Sequence, residues 1–233
     1  MKVFQKGFNF SQDGPGNRLV YHLSGCNMRC IWCSNPEGMK GNSGKDYTPD
    51  DILLEAESAK MMFFSGGGVT FTGGEATLWC EELLKTLKLL KKAGINTAIE
   101  TNGTSEKLTQ LIPYIDYLIM DFKHFDSDVL KKYTGVGNEQ VRKNFETICA
   151  MGRQLHIRIP LICGINAYGA EKYAEYFSGF NTENVVCEFL AYHEYGKDKW
   201  EEEYKVSDGF VSEEILDEFR KTFCEYNLKL ITT

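Results

Sequence analysis

The run RLVYHLSG (Arg18–Gly25) passes without a break into CNMRCIWCSNPEG (Cys26–Gly38). Its first half is apolar and rich in β-forming residues, which predicts a strand ending at Gly25. Its second half gathers three cysteines, Cys26, Cys30 and Cys33, in one polar, turn-rich loop. Three thiols suit neither a disulfide, which uses two, nor a structural zinc site, which closes with four ligands. Three thiolates do hold three irons of a cubane cluster and leave the fourth iron open to a small molecule. A zinc site completed by a distant Cys or His is the alternative reading. The other five cysteines, Cys80, Cys149, Cys163, Cys187 and Cys224, stand singly and are expected to be buried apolar thiols.

Further along the chain the same pattern repeats. GVTFTGGE (Gly68–Glu75), NTAIETNG (Asn96–Gly103), YLIMDFK (Tyr117–Lys123), HIRIPLI (His156–Ile162) and NVVCEFLAY (Asn184–Tyr192) read as further strands. Helical periodicity lies between them, over about Pro49–Met62, Cys80–Ala93, Ser105–Ile112, Glu139–Gly152 and Ala170–Gly179. A last helix over about Ser212–Tyr226 precedes a short terminal strand. Alternating strands and helices imply an α/β fold with a parallel sheet, whose chemistry gathers at the strand C-terminal ends. Six units are too few for a full eight-fold barrel, so a partial (β/α)6 TIM-like barrel is expected. One domain spans 1–233, with a core of about 16–200 and a C-terminal helix and strand at 207–233. KGNSGKD (Lys40–Asp46) reads as a linker.

Composition narrows the classes. Across 233 residues, 42% hydrophobic and 25% charged describes an ordinary globular protein. A net charge of −7 argues against a nucleic-acid binder. No apolar run reaches bilayer length, and MKVFQKGFNFSQDGPG lacks the apolar core of a signal peptide. The expectation is a cytoplasmic protein with reduced thiols, binding neither membrane nor nucleic acid.

The C-x3-C-x2-C spacing, with the aromatic Trp32 before the last cysteine, resembles the radical S-adenosylmethionine (SAM) superfamily. In that family Cys26, Cys30 and Cys33 would hold a [4Fe-4S] cluster whose open iron binds SAM. TGGE (Thr72–Glu75) resembles the motif that binds the SAM amine: glycines admit a close approach and Glu75 accepts from an ammonium. ETNG and DFK place Glu100, Thr101, Asn102, Asp121 and Lys123 at strand ends. The resemblance implies that Lys123 meets the SAM carboxylate, and that Glu100 and Asp121 bind a monovalent cation. Arg158 is a charge inside an apolar strand, costly unless paired, and is expected to point into the site. The SAM pocket is thus expected to comprise Trp32, Gly73, Gly74, Glu75, Thr101, Asn102, Asp121, Lys123, Arg158 and His193. Lys123, Arg158 and His193 are the catalytic candidates.

Two segments narrow the resemblance. SQDGPGNR (Ser11–Arg18) is a tight turn that resembles the D-G-P-G-x-R signature of glycyl radical enzyme activating enzymes. In those enzymes it lies beside a bound glycyl loop, so Asp13 is expected to contact partner peptide at the barrel mouth. LAYHEYGKDKW (Leu190–Trp200) resembles their L-P-Y-H-x-x-G-x-x-K segment. The reaction implied is reductive cleavage of SAM to a 5′-deoxyadenosyl radical, which takes hydrogen from a glycine of a glycyl radical enzyme. Flavodoxin or ferredoxin is the implied reductant. A radical SAM enzyme acting on a small molecule, and a non-catalytic Fe-S or zinc module, are the competing readings. Many relatives carry a ferredoxin-like insert after the cysteine loop, but Pro36–Gly68 contains no cysteine, which implies one cluster.

Overall fold

The computed structural model describes residues 1–231. Its strands are β1 (Lys2–Phe10), β2 (Asn17–Leu23), β3 (Lys45–Asp46), β4 (Gly68–Gly73), β5 (Thr97–Thr101), β6 (Tyr117–Asp121), β7 (Leu155–Leu161) and β8 (Val185–Ala191). Its helices are α1 (Pro49–Ser58), α2 (Cys80–Lys92), α3 (Leu108–Leu111), α4 (Ser127–Thr134), α5 (Glu139–Ala150), α6 (Ala170–Ser178) and α7 (Glu213–Glu225). The strands follow the open order β3-β1-β2-β4-β5-β6-β7-β8. All six predicted strands are present.

The chain packs as two compact units. One comprises Met1–Asn27, Asn35–Thr101 and Ser105–Ile119; the other comprises Met28–Ser34, Asn102–Thr104 and the chain from Met120 onward. In the first, β2, β4 and β5 run parallel, with Leu19 opposite Val69 and Val69 opposite Thr97. Helix α2 buries Cys80, Leu83, Thr86, Leu87 and Leu90, a stripe at helical spacing. Helix α1 starts at a reciprocal capping box between Thr48 and Asp51. In the second unit β7 and β8 are parallel, with Arg158 opposite Glu188. Rings of Phe122, Phe145, Tyr173, Phe177, Phe219 and Phe223 fill its core.

Several expectations need correction. The N-terminal KVFQKGFNF is strand β1, antiparallel to β2. KGNSGKD is not a free linker. Lys45 and Asp46 pair with β1, and a Cβ on Gly44 would lie 2.1 Å from the Val3 carbonyl oxygen. Helix α4 was not predicted, although Asp126 caps it and Gly135 ends it in the left-handed conformation. The helix expected over Ser105–Ile112 shrinks to four residues, Leu108–Leu111, followed by a 3-10 turn with Pro113 in its first positions. The terminal strand is a single parallel bridge between Leu230 and Cys187; Thr232 and Thr233 lie outside the described residues. Cys80, Cys149 and Cys187 are buried, and burial pushes the Cys149 thiol up to about 11 and the Cys187 thiol up to about 12. Cys163 and Cys224 are exposed. Cys163 sits in the turn beyond β7, and Cys224 lies off the α7 stripe of Leu216, Phe219 and Phe223.

Candidate active site

In the first unit, the N-terminal limb of the cysteine loop is fixed by main chain. Gly25 N–H donates to the Gly38 carbonyl at 2.8 Å, Gly74 N–H to Leu23 at 2.8 Å, and Glu75 N–H to Gly25 at 2.7 Å. Gly73 has φ +114°, and a Cβ there would lie 2.4 Å from Leu23 N. On Gly74 a Cβ would lie 2.1 Å from the Gly25 oxygen and 2.5 Å from the Gly38 oxygen. The space a Cβ would take at each glycine is filled by backbone, which draws the Gly-Gly-Glu turn against the residue preceding Cys26. The Trp79 indole N–H donates to the Ser24 carbonyl at 2.8 Å, steadying the same limb.

Glu75 is buried. Its Oε1 accepts from Thr77 N–H at 3.0 Å, from the Thr101 hydroxyl at 2.7 Å, and from the Thr77 hydroxyl. Thr101 therefore enters the site network as a donor to Glu75. Glu100 accepts from the Thr72 hydroxyl at 2.7 Å, tying the β4 and β5 ends.

The second unit carries the rest of the loop. Arg29 N–H donates to the Thr134 carbonyl at 2.7 Å, and Ile31 N–H to Tyr133 at 3.2 Å. Cys33 N–H donates to Cys30 at 3.1 Å, a tight turn that sets the last two cysteines close in the chain. Trp32 packs on a cluster of Ile162, Ile165, Tyr192 and Val206. Asn102 spends its Oδ1 on Thr104, accepting from N–H at 3.1 Å and hydroxyl at 2.6 Å. Lys123 pairs with Asp121. The two were assigned to different ligands, carboxylate and cation, yet here they hold each other. His193 is exposed and stacks on Tyr195 at 4.2 Å.

Arg158 is paired rather than alone. Its Nε donates to Glu188 Oε2 at 2.8 Å, and His156 Nε2 lies 2.9 Å from the same oxygen. Burial works to raise the Glu188 carboxyl; hydrogen bonds and charges from His156 and Arg158 outweigh it and hold it below the usual range. The sequence reading missed Glu188, although it too is a charge in an apolar strand.

Arg18 was missed as well. It is fully buried. Its Nε donates to the Thr70 hydroxyl at 2.6 Å and its Nη2 to the Val69 carbonyl at 2.9 Å and Asn96 Oδ1 at 3.0 Å. Burial lowers its guanidinium to about 10, against support from Asp116 and Asp13. Its Nη1 also donates to the Pro15 carbonyl at 3.1 Å, so Arg18 ties the D-G-P-G turn to the start of β2. Asp13 lies there too, its carbonyl accepting from the Thr70 hydroxyl at 2.8 Å and its carboxylate from Asn9. The cysteine loop leaves the other end of β2, about 20 Å away at the rise of an extended strand. Within this unit Asp13 is therefore on the strand-start edge and not, as expected, at the strand-end mouth, because it precedes a strand whose far end carries the cysteines.

The three loop cysteines are spent in no disulfide and have the donor chemistry a [4Fe-4S] cluster needs, while among the described residues no three His, Cys, Asp or Glu side chains stand grouped to hold a metal ion.

Comparison with known proteins agrees. The family model for the radical SAM superfamily matches residues 20–177. The pyruvate formate-lyase-activating enzyme of Clostridium pasteurianum is 35% identical over 205 residues, covering 84% of this chain and 85% of that protein. The trans-4-hydroxy-L-proline dehydratase activating enzyme of Clostridioides difficile is 27% identical across 94% of this chain and 95% of its own. That alignment runs over 288 positions, more than the 233 residues present here, so the relative has segments this chain lacks. Among solved structures, a domain of pyruvate-formate lyase-activating enzyme from Bacteroides vulgatus superposes with a TM-score of 0.61 at 30% identity, covering 71% of this chain and 98% of that one. Streptococcus suis SuiB, at 16% identity and a TM-score of 0.67 over 92% of this chain and 48% of its own, shares the fold.

The chain belongs to the radical SAM superfamily, and its fold is the partial barrel of that superfamily. Within it, the long matches at 35% and 30% identity place it among the glycyl radical enzyme activating enzymes. With a reduced [4Fe-4S] cluster and SAM bound, the chemistry of this enzyme is cleavage of SAM to a 5′-deoxyadenosyl radical that takes hydrogen from a glycine of a partner enzyme. Among the described residues no helix is long and apolar enough to cross a membrane.

Proposed function

We propose that this chain, as a single radical SAM domain, performs that reaction with one cluster held by Cys26, Cys30 and Cys33. What supports the reading is the main-chain lock between Gly25 and Gly74–Glu75, which sets a cluster cysteine beside the motif that receives the SAM amine. Glu75, already oriented by Thr77 and Thr101, accepts from that amine. Lys123 and Arg158 meet the SAM carboxylate, with Asp121 and Glu188 holding each cation in place before the ligand arrives. The family resemblance further assigns Gly73 and Gly74 in the first unit, and Trp32, Asn102 and His193 in the second, to SAM binding, and Glu100 and Asp121 to a monovalent cation. Flavodoxin or ferredoxin supplies electrons, and the enzyme works in the cytoplasm. The partner is a glycyl radical enzyme of the kinds the relatives are named for, a pyruvate formate-lyase or a dehydratase.

The test is anaerobic reconstitution followed by iron, sulfide and product analysis. About four irons per chain are expected, together with 5′-deoxyadenosine from SAM and backbone cleavage at one glycine of the activated partner on exposure to oxygen. Eight or more irons with matching sulfide would overturn the single-cluster reading. Intact SAM under a strong reductant would overturn the reading as a whole.

A further inference from the structure

The segment after β8 was assigned one site residue, His193, but its closest approach to the cysteine loop is made elsewhere. Trp200 lies 167 positions from Cys33 in the chain, and its indole Nε1–H donates to the Cys33 carbonyl at 3.0 Å. Indole nitrogen can only donate, so this bond has one sense. The ring is seated in turn. Tyr204 packs edge-on against it at 5.6 Å, and the Tyr204 hydroxyl lies 2.9 Å from the Tyr192 hydroxyl.

Gly196 makes the approach possible. A Cβ there would lie 2.4 Å from Ser34 Cα and 2.5 Å from the Ser34 carbonyl oxygen. Its φ is −95°, open to any residue, so the need for glycine is steric and not torsional. Between the two contacts runs one tight turn. Lys197 N–H donates to Glu194 at 3.0 Å, Lys199 N–H to Gly196 at 3.1 Å, and Trp200 N–H to Lys197 at 3.2 Å. The Lys197–Glu194 ion pair at 2.9 Å closes its outer side. Gly196 presses on the residue after Cys33, while Trp200 holds the carbonyl of Cys33 itself.

We propose that Trp200 is a positioning residue for the last cluster cysteine and that Gly196–Trp200 forms a clamp on it. The proposal rests on the reading of Cys33 as a cluster ligand. Clamping the main chain at Cys33 fixes the direction of its Cα–Cβ bond. The thiolate is then confined to the few staggered positions about one fixed Cα–Cβ bond before any iron is bound, and the ligand's main chain is kept from swinging off afterwards.

Three variants of the full chain separate the outcomes. Trp200→Phe keeps a ring and removes the donor; Gly196→Ala pushes on Ser34; Cys33→Ala removes the thiol. In the metal-free chain, amide hydrogen exchange of the 28–38 segment is expected to quicken in both clamp variants while the rest of the chain is unchanged. After reconstitution, iron loss to a chelator is expected to be about tenfold faster, and the electron paramagnetic resonance line shape of the reduced cluster to broaden. If Gly196→Ala does not fold, its Cβ meeting Ser34 main chain, Trp200→Phe decides by the same readouts. Wild-type exchange, iron retention and line shape in a folded clamp variant, with the cluster lost in Cys33→Ala, would overturn the clamp alone. Retention of the cluster in Cys33→Ala would overturn both the clamp and the ligand assignment.

Discussion

The two limbs of the cysteine loop are held by different means. Before Cys26 the hold is chiefly backbone on backbone: three amides donate to carbonyls, Gly74 has no room for even one carbon more, and the Trp79 indole on the Ser24 carbonyl only adds to it. After Cys33 the hold includes a side chain, the Trp200 indole, set on a turn that glycine lets in close. A backbone lock tolerates nothing, because main chain cannot move aside without breaking the strands it belongs to. A side-chain clamp yields by degrees, because a ring can be lost while the peptide stays. The first limb should therefore fail as a fold and the second as a tuning of the ligand.

The largest effect lies between the limbs. Cys30→Ala should abolish cluster assembly and SAM cleavage, whereas Cys80→Ala, on a helix in the other unit, should leave both intact. Anaerobic optical spectra and 5′-deoxyadenosine assay of the two variants decide. A brown, SAM-cleaving Cys30→Ala protein would remove the basis for comparing the limbs at all.

Next comes the backbone lock. Gly74→Ala should cost about 3 kcal/mol or more, since the clash is with two carbonyl oxygens and not with a side-chain tip. Gly7 in β1 is the internal control. Nothing lies within 4 Å of a Cβ built there, so Gly7→Ala should stay within about 0.5 kcal/mol of wild type. Urea unfolding of both variants measures the difference. Equal midpoints would mean that the first limb is as yielding as the second.

Legibility in the sequence followed the same division. Strand ends and their glycines were readable because period and turn chemistry are local. The six predicted strands were found from alternation, and the cysteine loop from spacing. What escaped depended on partners distant in the chain. β1 shows its role only when paired with β2, and the apparent linker only when seated on β1. The rule that a charge in an apolar strand needs a partner was applied to Arg158 and applies equally to Arg18 and Glu188. It could not say which partner, and so Arg158 was aimed at a ligand while its carboxylate, Glu188, went unseen. Trp200 gave no local signal, because its bond to Cys33 spans 167 positions of the 233-residue chain.

The smallest effect on the SAM site is expected at Asp13, at the other end of β2 from the start of the cysteine loop. Its carboxylate accepts from Asn9, and its carbonyl from Thr70, at the strand-start edge of the first unit. Asp13→Asn is nearly isosteric and leaves the carbonyl contact in place. The buried Arg18 loses one supporting charge and keeps Asp116 and its ring of acceptors, so the turn should hold. SAM affinity by isothermal titration should then be unchanged, because seven strand residues separate this turn from the cysteine loop. Partner activation is a different quantity. A charge-assisted hydrogen bond to partner backbone exceeds a neutral one by about 1 kcal/mol, or roughly fivefold in affinity. Glycyl radical formed per unit time at limiting partner, read by electron paramagnetic resonance, should fall by about that factor. A parallel fall in SAM affinity would place Asp13 in the cofactor site and undo the separation of the two strand edges; unchanged activation would remove it from the partner surface.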